Sequence, residues 1–162
     1  MNARLIEDHK GDGELSDHFE ECLEYAEHSS RLTHSAPEAV DACRYFAALL
    51  FGALRGEDKA PLLRPHYSPV PGYWARRPLC SAMAAIAAGS FKAKSNAEIE
   101  SSSYVAHTLE AALWAFHQTD SFSAGALAAV NLGGDADATG AVYGALAGAH
   151  YGETLLPYAW LR

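Results

Sequence analysis

The residues best equipped for chemistry are two carboxylates at the mouth of a glycine-marked helix. They are Asp135 and Asp137, within the run Asn131-Leu132-Gly133-Gly134-Asp135-Ala136-Asp137-Ala138-Thr139-Gly140. An Asp-x-Asp pair at a tight turn aims several hard oxygen ligands at one point, the arrangement that Mg²⁺ or Mn²⁺ takes. A plainer role is also open to them. Either carboxylate could N-cap the following helix, accepting from its free N–H groups at the positive end of the dipole. Beyond the turn, Gly140, Gly144 and Gly148 recur every four residues and share one helical face. Each costs a helix roughly 1 kcal/mol against alanine, so close approach of another backbone to that face is expected.

The elements that must position this turn read as helices. Phe19, Cys22, Leu23 and Ala26 repeat at helical spacing over 16–28, after a polar stretch with Gly11-Asp12-Gly13 that is expected to form a loose arm over 1–15. Ser35 and Pro37 mark the start of a second helix, with Val40, Cys43, Ala47, Leu50 and Leu54 as its apolar stripe and Gly56 past its end. A short helix over 57–63 precedes Arg64-Pro65-His66-Tyr67-Ser68-Pro69-Val70-Pro71-Gly72-Tyr73-Trp74, where each proline disfavours helix in the residue before it. Helices are expected over 79–88, 101–118 and 122–130, and then from the Asp-x-Asp turn to Gly152. No segment alternates like a strand. The fold class is therefore all-α, with one domain over 16–162.

At 162 residues, 49% hydrophobic and 20% charged, the composition is that of one globular domain. A net charge of −8 argues against an extended nucleic-acid backbone or an anionic membrane surface as partner. An anionic small molecule stays compatible, because a helix N-terminus or a bound cation overrides net charge locally. The apolar run over 141–149 is too short to span a bilayer. Cys22, Cys43 and Cys80 lack metal-type spacing, and Cys22 and Cys43 fall on apolar helical faces as expected buried thiols. The first ten residues hold no apolar signal core, so a cytoplasmic location is expected. His66, His107, His117 and His150 have no chemical companions in the sequence and read as ordinary structural histidines.

Three segments together resemble the ADP-ribosylglycohydrolase family. They are Ser30-Arg31-Leu32-Thr33-His34-Ser35-Ala36-Pro37-Glu38-Ala39-Val40, then Tyr104-Val105 with Thr108 to Phe116, then Asn131 to Asp137 with the helix to Gly152. The resemblance runs from about residue 15 to the end. It implies a compact orthogonal multi-helix domain and metal-dependent hydrolysis of the bond joining ADP-ribose to a modified side chain. It also implies Mg²⁺ or Mn²⁺ as cofactor, Asp135 and Asp137 as metal ligands, and His34, Ser103 and Tyr104 beside the bound ADP-ribose. ADP-ribose or an ADP-ribosylated protein would be the partner.

Two departures accompany the resemblance. The family's N-terminal half, with a Thr-Asp-Asp metal segment, the catalytic carboxylate and a glycine-rich phosphate loop, has no counterpart here; the sequence contains no Asp-Asp dipeptide. Ala138 follows Asp137 where the family pattern has a metal-binding threonine, and Thr139, one residue later, is rotated by about 100° on a helix. With two carboxylates a Mg²⁺ ion would keep most of its water. The expectation is an incomplete domain, completed by a homodimer or a separate N-terminal-half partner, or else a catalytically inactive relative serving as a binding or regulatory module.

Overall fold

A computed structural model describes residues 4–160, with side chains from residue 13 onward. Among the described residues there are eight α-helices, short 3₁₀ turns and no strand. The helices are α1 (Arg4–Arg31), α2 (Pro37–Leu54), α3 (Lys59–Leu62), α4 (Tyr73–Arg76), α5 (Ser81–Ala88), α6 (Val105–Gln118), α7 (Phe122–Val130) and α8 (Ala136–Tyr151). The all-α class is as the sequence indicates. None of these helices is long and apolar enough to cross a membrane.

Several boundaries differ from expectation. The loose arm proposed for 1–15 is, over its described part, a continuation of α1 back to Arg4. Gly11 and Gly13 lower helix propensity, but propagation from an existing helix fixes one residue per hydrogen bond and needs no new nucleus. In α2 the N-cap position falls to Ala36 rather than Ser35, with Pro37 in the first turn. The α6 helix starts at Val105, four residues after Ser101. Consecutive serines there compete for the backbone. The Tyr104 N–H donates to Ser102 Oγ at 3.2 Å, and Thr108 Oγ1 donates to the Ser102 carbonyl at 3.0 Å, so the segment bends before the helix begins.

Most of the core surrounds α6. Its Leu109, Ala112, Leu113 and Phe116 are buried against Tyr45 and Leu49 of α2, Met83 and Ile86 of α5, and Tyr143, Leu146 and Ala147 of α8. A second cluster joins Phe19 and Leu23 of α1 to Ala48 of α2 and to Val70 and Tyr73 of the proline-rich segment. The Phe19 ring meets those of Phe51 and Tyr73 edge-on at 5.4 and 5.1 Å. Trp74 packs on both clusters and donates from Nε1 to the Tyr67 carbonyl at 2.8 Å. The long loop is thus a strap whose aromatic end is part of the core.

Ion pairs fix how α1 lies on α2. Arg44, buried in α2, donates to Asp41 Oδ1 at 2.7 Å and to the Arg77 carbonyl at 3.0 Å. Asp41 Oδ2 accepts from the Cys80 N–H at 2.6 Å. On α1, Glu27 receives Arg31 at 2.9 Å and Arg77 at 2.8 Å. These contacts hold the Glu27 carboxyl below its ordinary value, the Arg31 hydrogen bond most of all, with the Arg77 and Arg44 charges adding to it.

A carboxyl with a lowered folded-state pKa stabilises the fold fully above its unfolded value of 4.5, and the contribution is lost as pH falls through the lower folded value. Glu27→Gln should therefore lower the melting temperature at pH 7 and flatten its acid decline. Melting curves from pH 7 to about 3 test this; parallel declines in the two proteins would contradict it.

Candidate functional site

The chain leaves α7 at Val130 and reaches α8 through Asn131–Asp135, with Gly133 and Gly134 at φ 73° and 59°. This left-handed backbone suits glycine. Gly134 also lies against the 101–104 bend: a Cβ there would fall 1.8 Å from the Ser101 carbonyl oxygen. One turn into α8, Thr139 is fully buried, with its hydroxyl 3.1 Å from Ser101 Oγ. Backbone contact and a hydroxyl pair thus clasp the Asp-x-Asp turn to the entrance of α6. Thr139 points inward, away from the two carboxylates' solvent side, as its one-residue offset indicates.

Asp135 stands at the N-cap position of α8, but its carboxylate makes no cap hydrogen bond. The Ala138 N–H favours its charged form from outside hydrogen-bond geometry. Asp137 is exposed in the first turn of the helix. The two carboxyls interact with each other. The nearness of each carboxyl to the other is the main cause that raises Asp135 above, and lowers Asp137 below, the usual carboxylate value. Two acceptors competing for one proton form a locus of negative charge that a cation would also satisfy.

Beside this turn lies a cleft of about 410 Å³. It is within the roughly 300–1,000 Å³ typical of small-molecule sites. Its walls come from the end of α1 and the turn after it (Ser30, Thr33, His34), the start of α2 (Ala39, Cys43), the entrance of α6 (Ser103, Val105, Thr108) and the start of α8 (Asp135, Ala138). The His34 turn is held by its own backbone: the His34 N–H donates to the Ser30 carbonyl at 2.7 Å, and Ser30 Oγ donates to the His34 carbonyl at 3.1 Å. His34 Nδ1 lies 3.1 Å from Thr33 Oγ1. His34, Ser103 and Asp135, the first and last of them about 100 positions apart in sequence, therefore line one cavity.

Tyr104 and Asp137 are not in that lining. The exposed Tyr104 ring stands edge-on to His107 at 5.0 Å, outside the mouth. His107 itself binds Ser102 Oγ through Nδ1 at 2.9 Å and approaches Glu100 at 3.3 Å, so it braces the bend.

The sequence profile of the ADP-ribosylglycohydrolase family matches residues 12–162. The chain belongs to the ADP-ribosylglycohydrolase family. It is 39% identical over 132 residues to the ADP-ribosylarginine hydrolase Tri1 of Serratia proteamaculans, covering 82% of this chain and 34% of that protein. The Tri1 of Pseudomonas putida is 44% identical over 133 residues, with 82% and 33% covered. A solved structure described as an ADP-ribosylglycohydrolase-related protein complex superposes with a TM-score of 0.76 at 43% identity, over 86% of this chain and 46% of that one. The chain thus spans about a third of the length of these curated relatives and about half of the solved chain.

As donors for a hard divalent cation, this family member offers Asp135 and Asp137. Among the described residues no group of three or more His, Cys, Asp or Glu side chains could hold a metal. Thr139 is committed to Ser101. Two carboxylates suit one cation that keeps several waters, and fall short of a dinuclear centre. Inspection of the sequence missed Ser101, Cys43 and Thr108. Their signal was weak: Cys43 sits mid-helix with no motif, Thr108 belongs to a family segment without standing out in it, and Ser101 acts through its backbone as much as its hydroxyl.

Gly134→Ala should separate the turn from Ser101, since the new methyl meets backbone that cannot move aside. Overpacking of this kind costs about 1–3 kcal/mol, or several degrees in melting temperature. An unchanged melting temperature would show that the turn is not clasped there.

Proposed function

We propose that the cleft at the joint entrance of α2, α6 and α8 holds ADP-ribose, as part of a metal-dependent site that hydrolyses the glycosidic bond between ADP-ribose and a modified side chain. The observation that carries this reading is the convergence of His34, Ser103 and Asp135 on one cavity in a chain of this family. His34 and Tyr104 offer ring faces and edges at the rim, Ser103 offers a hydroxyl to the sugar, and Asp135 and Asp137 hold Mg²⁺ or Mn²⁺. When bound, such a cation lowers the pKa of its water and polarises sugar oxygens. The clasped turn keeps Asp135 at a fixed place on the cleft wall, with Asp137 beside it outside the lining, so that ligand orientation is set before binding. Two of the relatives are named for ADP-ribosylarginine, which makes arginine the side chain of choice. The remaining ligands would come from further polypeptide, in a homodimer or a heteromeric assembly, and the proposed setting is the cytoplasm.

Thermal unfolding with ADP-ribose, with and without Mn²⁺, tests the reading. A ligand at 100 times its Kd stabilises the fold by about 2.7 kcal/mol, a rise of roughly 5–10 °C for a chain of this size. Asp137→Ala should remove the metal-dependent part of the shift and keep any metal-free part. No shift at millimolar ADP-ribose under either condition would overturn the assignment of the cleft.

A further inference from the structure

A second cleft of about 410 Å³ lies towards the opposite end of α6 and shares no lining residue with the candidate site. Thr108 lines the first cleft and His117 the second, about 14 Å apart along the helix axis. Lys59 of α3, Lys92 of the turn after α5, His117 and Asp120 line it, with Ala60 and Leu63 as its apolar part. Both ammonium groups are held in place. Lys59 Nζ donates to the Thr119 carbonyl and meets Asp120 Oδ1 at 3.1 Å, and Lys92 Nζ donates to the Leu63 carbonyl. Capping these carbonyls, at the C-terminal ends of α6 and α3, occupies one hydrogen of each ammonium, and each carries three. Capping does not account for His117. Its ring stands edge-on to Phe91 at 5.9 Å, and its Nδ1 is buried without a hydrogen-bond partner. Burial first, then the Lys92 and Lys59 charges, lowers its pKa below the ordinary value, so a neutral ring sits beside two cations. The fold thus gives His117 the companions that its sequence neighbourhood lacks.

We propose that Lys59, Lys92 and His117 form a binding site for the phosphate group of a small phosphate ester, separate from the candidate cleft. Charge selects the ligand class. Two ammonium groups against one carboxylate leave this cleft positive on a chain whose net charge is −8. A phosphate dianion satisfies the remaining hydrogens of both ammonium groups with charge-assisted bonds. It also offsets the repulsion on His117, which then takes up a proton and adds a third positive charge. Asp120 opposes the anion, but its side chain is fully exposed, where its charge is well screened. From α8 the Tyr151 hydroxyl reaches the Thr119 carbonyl at 3.5 Å and adds no charge. The volume has room for more than the phosphate, and Ala60 and Leu63 give a short carbon skeleton an apolar wall. This site uses neither Asp135 nor Asp137, so it stands independently of the ADP-ribose reading.

Histidine NMR on the full chain, without metal, tests this with inorganic phosphate and with glycerol 3-phosphate, against chloride at equal ionic strength. The His117 signal is assigned by its loss in His117→Gln. Both probes should shift that signal saturably and raise its titration midpoint by about one pH unit, with the ester binding more tightly than inorganic phosphate. Lys92→Gln should weaken binding about tenfold, the loss of one charge-assisted hydrogen bond. Because Lys92 also holds the Leu63 carbonyl, a second variant removes stability from the question. Asp120→Asn, at an exposed position, should strengthen binding about two- to fivefold, a gain that unfolding cannot produce. An unmoved or non-saturating His117 signal overturns the proposal, as does unchanged affinity in Asp120→Asn. Shifts confined to His34 would place the phosphate in the candidate cleft instead, and an ester bound no more tightly than phosphate would leave only an ion site. All of these outcomes leave the ADP-ribose reading to ligand-dependent melting.

Discussion

Ten of the fourteen residues of α6 are buried, on every side of the helix. Such a helix must be surrounded, and α2, α5, α7 and α8 do so, which sets the directions of all four. The cost is a buried carboxyl, Glu110, met by the Lys94 ammonium at 2.7 Å and by the Ser90 hydroxyl. Because Glu110 lies mid-helix, that pair also anchors the segment that follows α5. Everything at the candidate site is hung on the N-terminal end of this helix. The bend of Ser101–Tyr104 is its entrance, the Asp-x-Asp turn is pressed against that bend, and α2 starts alongside.

The helices were legible in the sequence because their cause is local and periodic. The stripes of α2 and α6 and the turn chemistry of Gly133-Gly134 all register at spacings that a single sequence displays. The loose arm, by contrast, was inferred from two glycines, and helix propagation overrode them over the described residues. Cys43 illustrates a different limit. Its apolar spacing is real, but the structure leaves it exposed, because the side of α2 on which it lies borders an open recess shared with Val105 and Val142. Periodicity shows that a face is apolar; it does not show what covers it.

The site was legible to a lesser degree. His34, Ser103 and Asp135 were named from family resemblance, and the fold brings them to one cavity. What holds them there was not visible. The clasp between Ser101 and the Gly134–Thr139 turn joins segments over 30 residues apart through a carbonyl and two small hydroxyls, none of which carries a motif. The glycine series of α8 was misread for a related reason. Gly140 meets a Val130 methyl, but Gly144 and Gly148 face open space.

That clasp has a consequence for how the molecule responds to its solvent. It is built from van der Waals contact and neutral hydroxyls, so it carries no charge on which Debye screening could act. The two carboxylates it carries are the opposite case, Asp137 exposed and Asp135 half-buried on the open cleft wall, both within reach of screening and counter-ions. Raising ionic strength therefore separates frame from charge: the turn keeps its shape while its attraction for a cation fades. High-salt conditions, often chosen to keep a protein in solution, are thus the conditions under which the same protein would look least like a metal binder.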